Sequence, residues 1–326
     1  MNKKLIIFAC MLIAITTACI AQFRAVTWKQ LSHFQGRVWS VTFSPTGKYF
    51  ATSSAETRLT IFSEKWQVLW QADDFIKEVS AIDFSPDEQY LAIPKYKTET
   101  DVGLIDLKDF QVYHILSGHT DWVTCVDFSP DGSIIATGSD DASVRTWKKI
   151  GPSFVFHQLI EDLKFSVSNL VFSKNSDFLA ICGKNTICLY QKQYDQYHPY
   201  QTIKIDTRFV NGLAFSPINN KLAVGTYNGS ILIYKDNGRQ FLLHQSLNGH
   251  KKMVHSIDFT PDGQYMATGS WDSQICFWKQ SQSMFALVNA VSAHKKQVYD
   301  IAFHPNGHML ASGSEDNTVL IWRLKY

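Results

Sequence analysis

The sequence has no Gly-x-Ser-x-Gly elbow, no phosphate loop ending in Gly-Lys-Ser/Thr, no His-Glu-x-x-His and no calcium-loop pattern, so the commonest hydrolase, nucleotide and zinc-peptidase signatures are missing. It also lacks a charge surplus. Lys and Arg number 31 against 29 Asp and Glu, and two of the bases, Lys3 and Lys4, stand at the extreme N-terminus. Without those two the signs balance, which excludes a general electrostatic grip on nucleic acid or an anionic membrane. Cysteine is scarce as well. Beyond the first residues only Cys125, Cys182, Cys188 and Cys276 remain, without the paired spacing of a disulfide framework or zinc site. Buried, unpaired thiols are expected, and a hairpin turning near Lys184 and Asn185 would keep Cys182 and Cys188 out of direct opposition. His250 and His255 are five apart, and two imidazoles alone make no metal site.

One apolar run stands out, from Leu5 to Ile20 behind Lys3 and Lys4, with small residues at Cys19-Ile20-Ala21. It reads as a signal peptide spanning residues 1–21 and cleaved after Ala21, which makes the protein exported: secreted, periplasmic or otherwise in the secretory pathway. The alternatives are a lipoprotein modified at Cys19 and a membrane anchor, the latter disfavoured because the run is shorter than the roughly 20 apolar residues of a spanning helix. No stable membrane insertion of the mature chain is expected.

The remainder, 22–326, is periodic. Phe43, Phe84, Phe128, Phe172, Phe215, Phe259 and Phe303 recur at gaps of 41, 44, 44, 43, 44 and 44 residues. Five positions before each stands a valine, from Val38 to Val298, and two before each an aliphatic side chain. Turns such as Ser-Pro-Asp-Gly after Phe128 and Thr-Pro-Asp-Gly after Phe259 follow, Pro presetting φ and Gly accepting positive φ. Further strands are expected at Ile134 to Ser139, Tyr265 to Ser270 and Met309 to Ser314, then a tight Asp-bearing turn, a third strand ending in Trp, and a fourth such as Phe110 to Leu116. Four antiparallel strands per copy make a propeller blade, and seven copies an all-β, seven-bladed β-propeller. The orphan strand Arg24 to Leu31 would complete the last blade, which otherwise stops after three strands.

Copies three, six and seven carry a stricter pattern. His119, His250 and His294 lie nine residues before the anchor Phe, Asp141, Asp272 and Asp316 lie 13 after it, and Trp147, Trp278 and Trp322 lie 19 after. Three residue types at three fixed offsets in this way make the chain resemble the WD-repeat β-propeller family over about residues 25–326. The resemblance implies structural tetrads of His, Ser or Thr, Asp and Trp, with Thr137 or Ser139, Thr268 or Ser270, and Ser312 or Ser314 as the hydroxyl. No tetrad Trp opens a Trp-Asp dipeptide, each being followed by Lys or Arg. Copy one has Glu56 and Phe62 in the Asp and Trp places, copy four Asn185 and Tyr190, copy five Asn228 and Tyr234, and copy two has Pro94 in its second strand.

The resemblance further implies a non-enzymatic scaffold that binds a protein or peptide partner on the face carrying the Asp-bearing turns, a monomeric disc within a complex, with no catalytic residue, metal, cofactor or nucleic acid. The positions that would face such a partner hold Trp39, Trp122, Phe209, Tyr227, Met253, His255, Trp271 and Tyr299, and exposed aromatic and Met side chains are typical binding anchors. Trp271, at a hairpin apex, is the leading candidate. A secreted propeller enzyme or small-ligand binder using the central channel is the competing reading, and carboxylates or histidines clustered at the channel mouth would favour it. The sequon Asn228-Gly-Ser230 would be glycosylated in a eukaryotic secretory host.

Overall fold

A computed structural model describes residues 23–326 apart from 33, 56–57, 73–78, 80, 96–97 and 293. The expected leader, residues 1–21, and Glu56 lie outside the described residues. The described residues form twenty-eight strands and no helix, arranged as seven four-stranded antiparallel sheets. Blade three is typical, with strands Val123–Phe128, Ile134–Ser139, Val144–Ile150 and Ser153–Ile160 running from the axis outward. No helix among the described residues is long and apolar enough to cross a membrane.

The anchor Phe closes each inner strand, and the next residue caps the turn. Ser129 Oγ accepts the Ile134 N–H at 2.9 Å and Thr260 Oγ1 the Tyr265 N–H at 3.0 Å, while Gly132 takes φ 69° as the Pro-Asp-Gly signal requires. The fourth strand of blade two begins later than expected, at Val112, because Phe110 adopts φ 58° and belongs to the preceding turn. Blade two is also the weakest inside, its inner strand reduced to Asp83–Phe84.

Seven apolar clusters hold the ring, each shared by two adjacent blades. Close approach between sheets demands small residues: a Cβ on Gly138 would stand 2.5 Å from Val167 Cγ1 of the next blade, and one on Gly269 2.8 Å from Val298 Cγ1. The ring closes as the sequence implied. Arg24–Leu31 pairs antiparallel with Val319–Lys325, so the last blade draws its outer strand from the N-terminal end and leaves no open edge there.

Among the described residues four cysteines are free. Cys125, Cys182 and Cys276 are buried, but Cys188 is half-buried, facing the edge where it meets Thr202. Ile181 pairs with Cys188, and Cys182 with Ile187, so the two thiols are out of opposition.

Candidate functional site

The inner strands of blades one, three, six and seven carry a bulge just after their valine, seen as a register slip between Val38 and Ser40, Val123 and Cys125, Val254 and Ser256, and Val298 and Asp300. The extra residue is therefore Trp39, Thr124, His255 or Tyr299, and the bulge turns it toward the axis. A channel of about 460 Å³ runs there, lined by the inner strands of all seven blades.

At one mouth four rings from three adjacent blades meet. Trp39 and Tyr299 are 4.5 Å apart, His255 lies edge-on to Tyr299 at 5.2 Å, and Trp271 stacks on His255 at 5.9 Å. His255 Nδ1 hydrogen-bonds the Tyr299 carbonyl at 2.6 Å, and burial depresses its pKa to about 4 against that bond, leaving a neutral imidazole at pH 7. The Trp39 and Trp271 indole N–H groups are buried and have no hydrogen-bond partner.

The eight candidate binding residues separate by burial. Trp122 and Tyr227 are exposed, Trp39, Phe209, His255 and Trp271 half-buried. Tyr299 and Met253 are buried, at 6% and 4% exposure, and this corrects the expectation that both stand on the surface. Tyr299 is packed beneath Trp39 and His255 by its bulge, and Met253 closes the loop that receives the Trp271 amide at 3.0 Å. Phe209 and Tyr227 belong to blade five, and Trp122 stands across the ring on blade three. Cations cover several of these rings: Arg37 over Trp39 at 5.2 Å, Arg208 over Tyr227 at 5.6 Å and Lys95 over Trp122 at 5.1 Å.

The His, Asp and Trp residues of blades three, six and seven do not converge on the channel. In blade three Trp147 Nε1–H donates to Thr137 Oγ1 at 3.1 Å, the hydroxyl meets His119 Nε2 at 2.9 Å, and His119 Nδ1 meets Asp141 at 2.9 Å. In blade six Trp278 donates to Thr268 at 3.0 Å, which meets His250 at 2.8 Å, with Asp272 3.2 Å beyond. In blade seven Trp322, Ser312, His294 and Asp316 repeat the chain at 2.9, 2.7 and 3.0 Å. An indole only donates and a carboxylate only accepts, so the protons run one way: Nδ1–H to Asp, hydroxyl to Nε2. The hydroxyl left open by the sequence is thus the first of each pair. The second hydroxyl ties down the inner loop instead, for Ser139, Ser270 and Ser314 donate to the carbonyls of Asp121, Lys252 and Lys296 at 3.0, 3.1 and 3.4 Å. Burial works to raise Asp141 and Asp272, but hydrogen bonds from Ser143, the Thr120 amide and His119, and from His250 and the Lys251 amide, hold each at about 2.

Sequence reasoning overlooked the carboxyls of the channel. Asp83, Asp127 and Asp258 each precede an anchor Phe, and each accepts the N–H of the next blade's anchor: Phe128 at 2.8 Å, Phe172 at 2.8 Å and Phe303 at 2.6 Å. Asp300 accepts from Ser40 and the Val41 amide across the closing seam, both at 2.9 Å, and from Ser256 at 2.8 Å. The recurrent Asp-Phe dipeptide was the available signal. Burial raises Asp83 and Asp258 to about 7 and Asp300 to about 6, and raises Asp127 well above the usual range while it shares a hydrogen bond with Asp83. Carboxyls are thus present in the channel lining, the feature the competing reading called for, and each accepts at least one hydrogen bond from the following blade. Among the described residues no group of three or more His, Cys, Asp or Glu is placed to hold a metal ion.

A pH profile follows. A carboxyl whose folded pKa exceeds its unfolded value, near 3.8, binds more protons folded, so its penalty grows as pH rises from about 4 to 7. Tetrad carboxyls held near 2 act oppositely, their stabilisation lost only as pH falls from about 4 to 2. Burial also lowers His119, His255 and His304, which lose ground as pH falls below about 6.5, three imidazoles against five raised carboxyls, Asp83, Asp127, Asp140, Asp258 and Asp300. Calorimetry should therefore give a higher Tm at pH 5 than at pH 8, with a steep fall toward pH 2; a Tm that rises steadily from 5 to 8 would contradict these assignments.

A closed ring of four-stranded blades, three of them carrying polar tetrads, is a repeat propeller. The chain belongs to the WD40 family (WD domain, G-beta repeat), which matches residues 27–63, 110–148, 198–235, 242–279 and 285–323. Those segments cover the three inner strands of blades one, three, five, six and seven, and leave out the three inner strands of the irregular blades two and four. It is 28% identical to an uncharacterized WD repeat-containing protein of Synechocystis over 46% of this chain and 42% of that one. It is 29% identical to the small ribosomal subunit protein RACK1 of Candida albicans over 35% of each, and 26% identical to guanine nucleotide-binding protein subunit beta-2 of Caenorhabditis elegans over 33% of this chain and 30% of that one. The chain spans less than half the length of these curated relatives.

Proposed function

We propose that the protein is a non-enzymatic scaffold, a monomeric disc within a complex, that binds a protein partner on the face bearing the Trp271 turn, and that it works after export. The single observation carrying the docking face is the Trp39, Tyr299, His255 and Trp271 cluster, with two indole donors the fold itself leaves unpaired. Two relatives bear names that make them components of larger assemblies, a ribosomal subunit protein and a guanine nucleotide-binding protein subunit. The run Leu5 to Ile20 supports export; a mature chain beginning at Gln22 by mass spectrometry is the expected result, and an intact Met1 would remove that part of the reading.

Affinity capture with purified mature protein tests the rest. Trp271→Ala should abolish recovery of a reproducible partner while costing no more than about 1 kcal/mol of stability, since Trp271 is half-buried. Tyr299→Ala is not a clean probe, because the buried ring supports the cluster from beneath. Undiminished capture by Trp271→Ala would move the docking face elsewhere.

A further inference from the structure

The face with the aromatic cluster is electrically lopsided. Blades six and seven each open their inner loop with a lysine pair, Lys251-Lys252 and Lys295-Lys296, and all four side chains are exposed. The backbone fixes them in equivalent places: the Lys251 and Lys295 amides donate to Asp272 and Asp316 at 2.8 Å, and the Lys252 and Lys296 carbonyls accept from Ser270 and Ser314. Arg37 extends the row onto blade one, where its carbonyl accepts the Ala55 amide at 2.8 Å. The same two positions in blade three hold Thr120 and Asp121, and the loop of blade four carries Glu161 and Asp162 beside Lys164. Among the described residues no ion pair engages the four lysines. The carboxylates nearest in sequence offer little neutralisation, because Asp272 and Asp316 are tied to His250 and His294, which leaves Glu315 on the blade-seven turn.

Resting on the docking reading above, we infer that the partner presents an acidic segment, rich in Asp and Glu, to this basic crescent over blades six, seven and one. Charge complementarity selects that occupant: the crescent lies on the same three blades that supply the four rings, whereas the equivalent loops of blades three and four carry Asp121, Glu161 and Asp162. The Trp39 and Trp271 indoles add a second reason. Each is a donor with no acceptor in the fold, and a carboxylate or backbone carbonyl brought in by the segment supplies one after a small ring adjustment, relieving a buried unsatisfied group. A nucleic acid is a poorer fit, because four lysines and one arginine make too short a track for a phosphate backbone.

The test uses the full mature chain and a short fluorescent peptide of alternating Glu and Gly, followed by anisotropy, beside the same peptide with Gln in place of Glu and a single-stranded oligonucleotide. The acidic peptide should bind at least about tenfold tighter than its amide counterpart, and the affinity should fall as salt is raised. Lys251→Gln, Lys252→Gln, Lys295→Gln and Lys296→Gln combined should weaken binding at least about tenfold with an unchanged Tm, because the side chains are exposed. Trp39→Phe should weaken binding without lowering Tm. No binding of the acidic peptide, equal binding of the amide peptide, an undiminished lysine variant, or tighter binding of the oligonucleotide would each overturn the inference. The two readings fail separately: undiminished capture by Trp271→Ala removes the docking reading, whereas if Trp271→Ala loses its partner while the lysine variant retains it, docking stands and the acidic segment falls.

Discussion

Trp278→Ala should destabilise the propeller by about 3–5 kcal/mol, the range for deleting a fully buried large aromatic side chain, and lower the Tm by on the order of 10 °C for a chain of this size. Two losses combine. The indole is 2% exposed and packs in the cluster that joins blades five and six, against Val254, Ile257 and Phe285 among others; its removal leaves a cavity shared by both. The indole N–H also donates to Thr268, so a hydroxyl that also serves His250 loses one of its partners. Trp278→Phe separates the terms: it keeps most of the volume and forfeits the bond, at about 1–3 kcal/mol. Trp271, seven residues earlier, is the internal control, because the same truncation there should remove partner capture and little stability. A Trp278→Ala variant melting within about 2 °C of the parent would mean the tetrad is not an anchor of its blade, and the assignment of Thr268 as its hydroxyl would lose its main support.

The contrast between those two tryptophans marks how far the sequence could be read. Periodicity located the anchor Phe residues, and with them the blade order and the closing strand, since a core position repeated every 41 to 44 residues admits few architectures. It could not choose between Thr137 and Ser139, which are two apart in one strand and so project to the same side; the choice depends on cross-strand register, where Ile135 faces Trp147 and Thr137 faces Arg145. Nor could it judge the exposure of Tyr299. A one-residue bulge breaks the alternation of faces, and whether the displaced ring meets solvent or a neighbouring blade depends on what that blade supplies, here Trp39. Met253 was misread for a related reason: a loop residue is exposed by default until a hairpin from the same blade, bonded through the Trp271 amide, folds over it. The channel carboxyls went unseen although Asp-Phe recurs in three copies, because their partners are backbone amides of the following copy, some 45 residues away, and backbone groups leave no trace in side-chain patterns.

Removing the closing strand, residues 24–31, should abolish the closed propeller. The strand pairs with Val319–Lys325 at seven positions and buries Leu31 in the cluster that joins blades seven and one. Trp28 adds an outer clasp, with the Arg323 guanidinium 4.2 Å over its ring and Trp66 of blade one at 5.9 Å. Without the strand, Val319–Lys325 becomes an unpaired edge, a template for joining a second chain. The seam is also where Asp300 of blade seven reaches Ser40 and Val41 of blade one, so loosening blade seven releases those bonds as well. Each blade contacts only its two neighbours, and in a ring an opened seam turns both flanking blades into ends at once. The expected loss is therefore comparable to the whole stability of a domain, about 5–15 kcal/mol. Light scattering should show a larger mass per particle than for the parent, and the cooperative melt should disappear. A peptide of residues 24–31 supplied in trans should restore part of the parent's mass and cooperative transition, because it re-pairs the same edge. A truncated chain that keeps the parent's mass and melts within about 2 °C of it would show that the other six blades hold the ring without its latch.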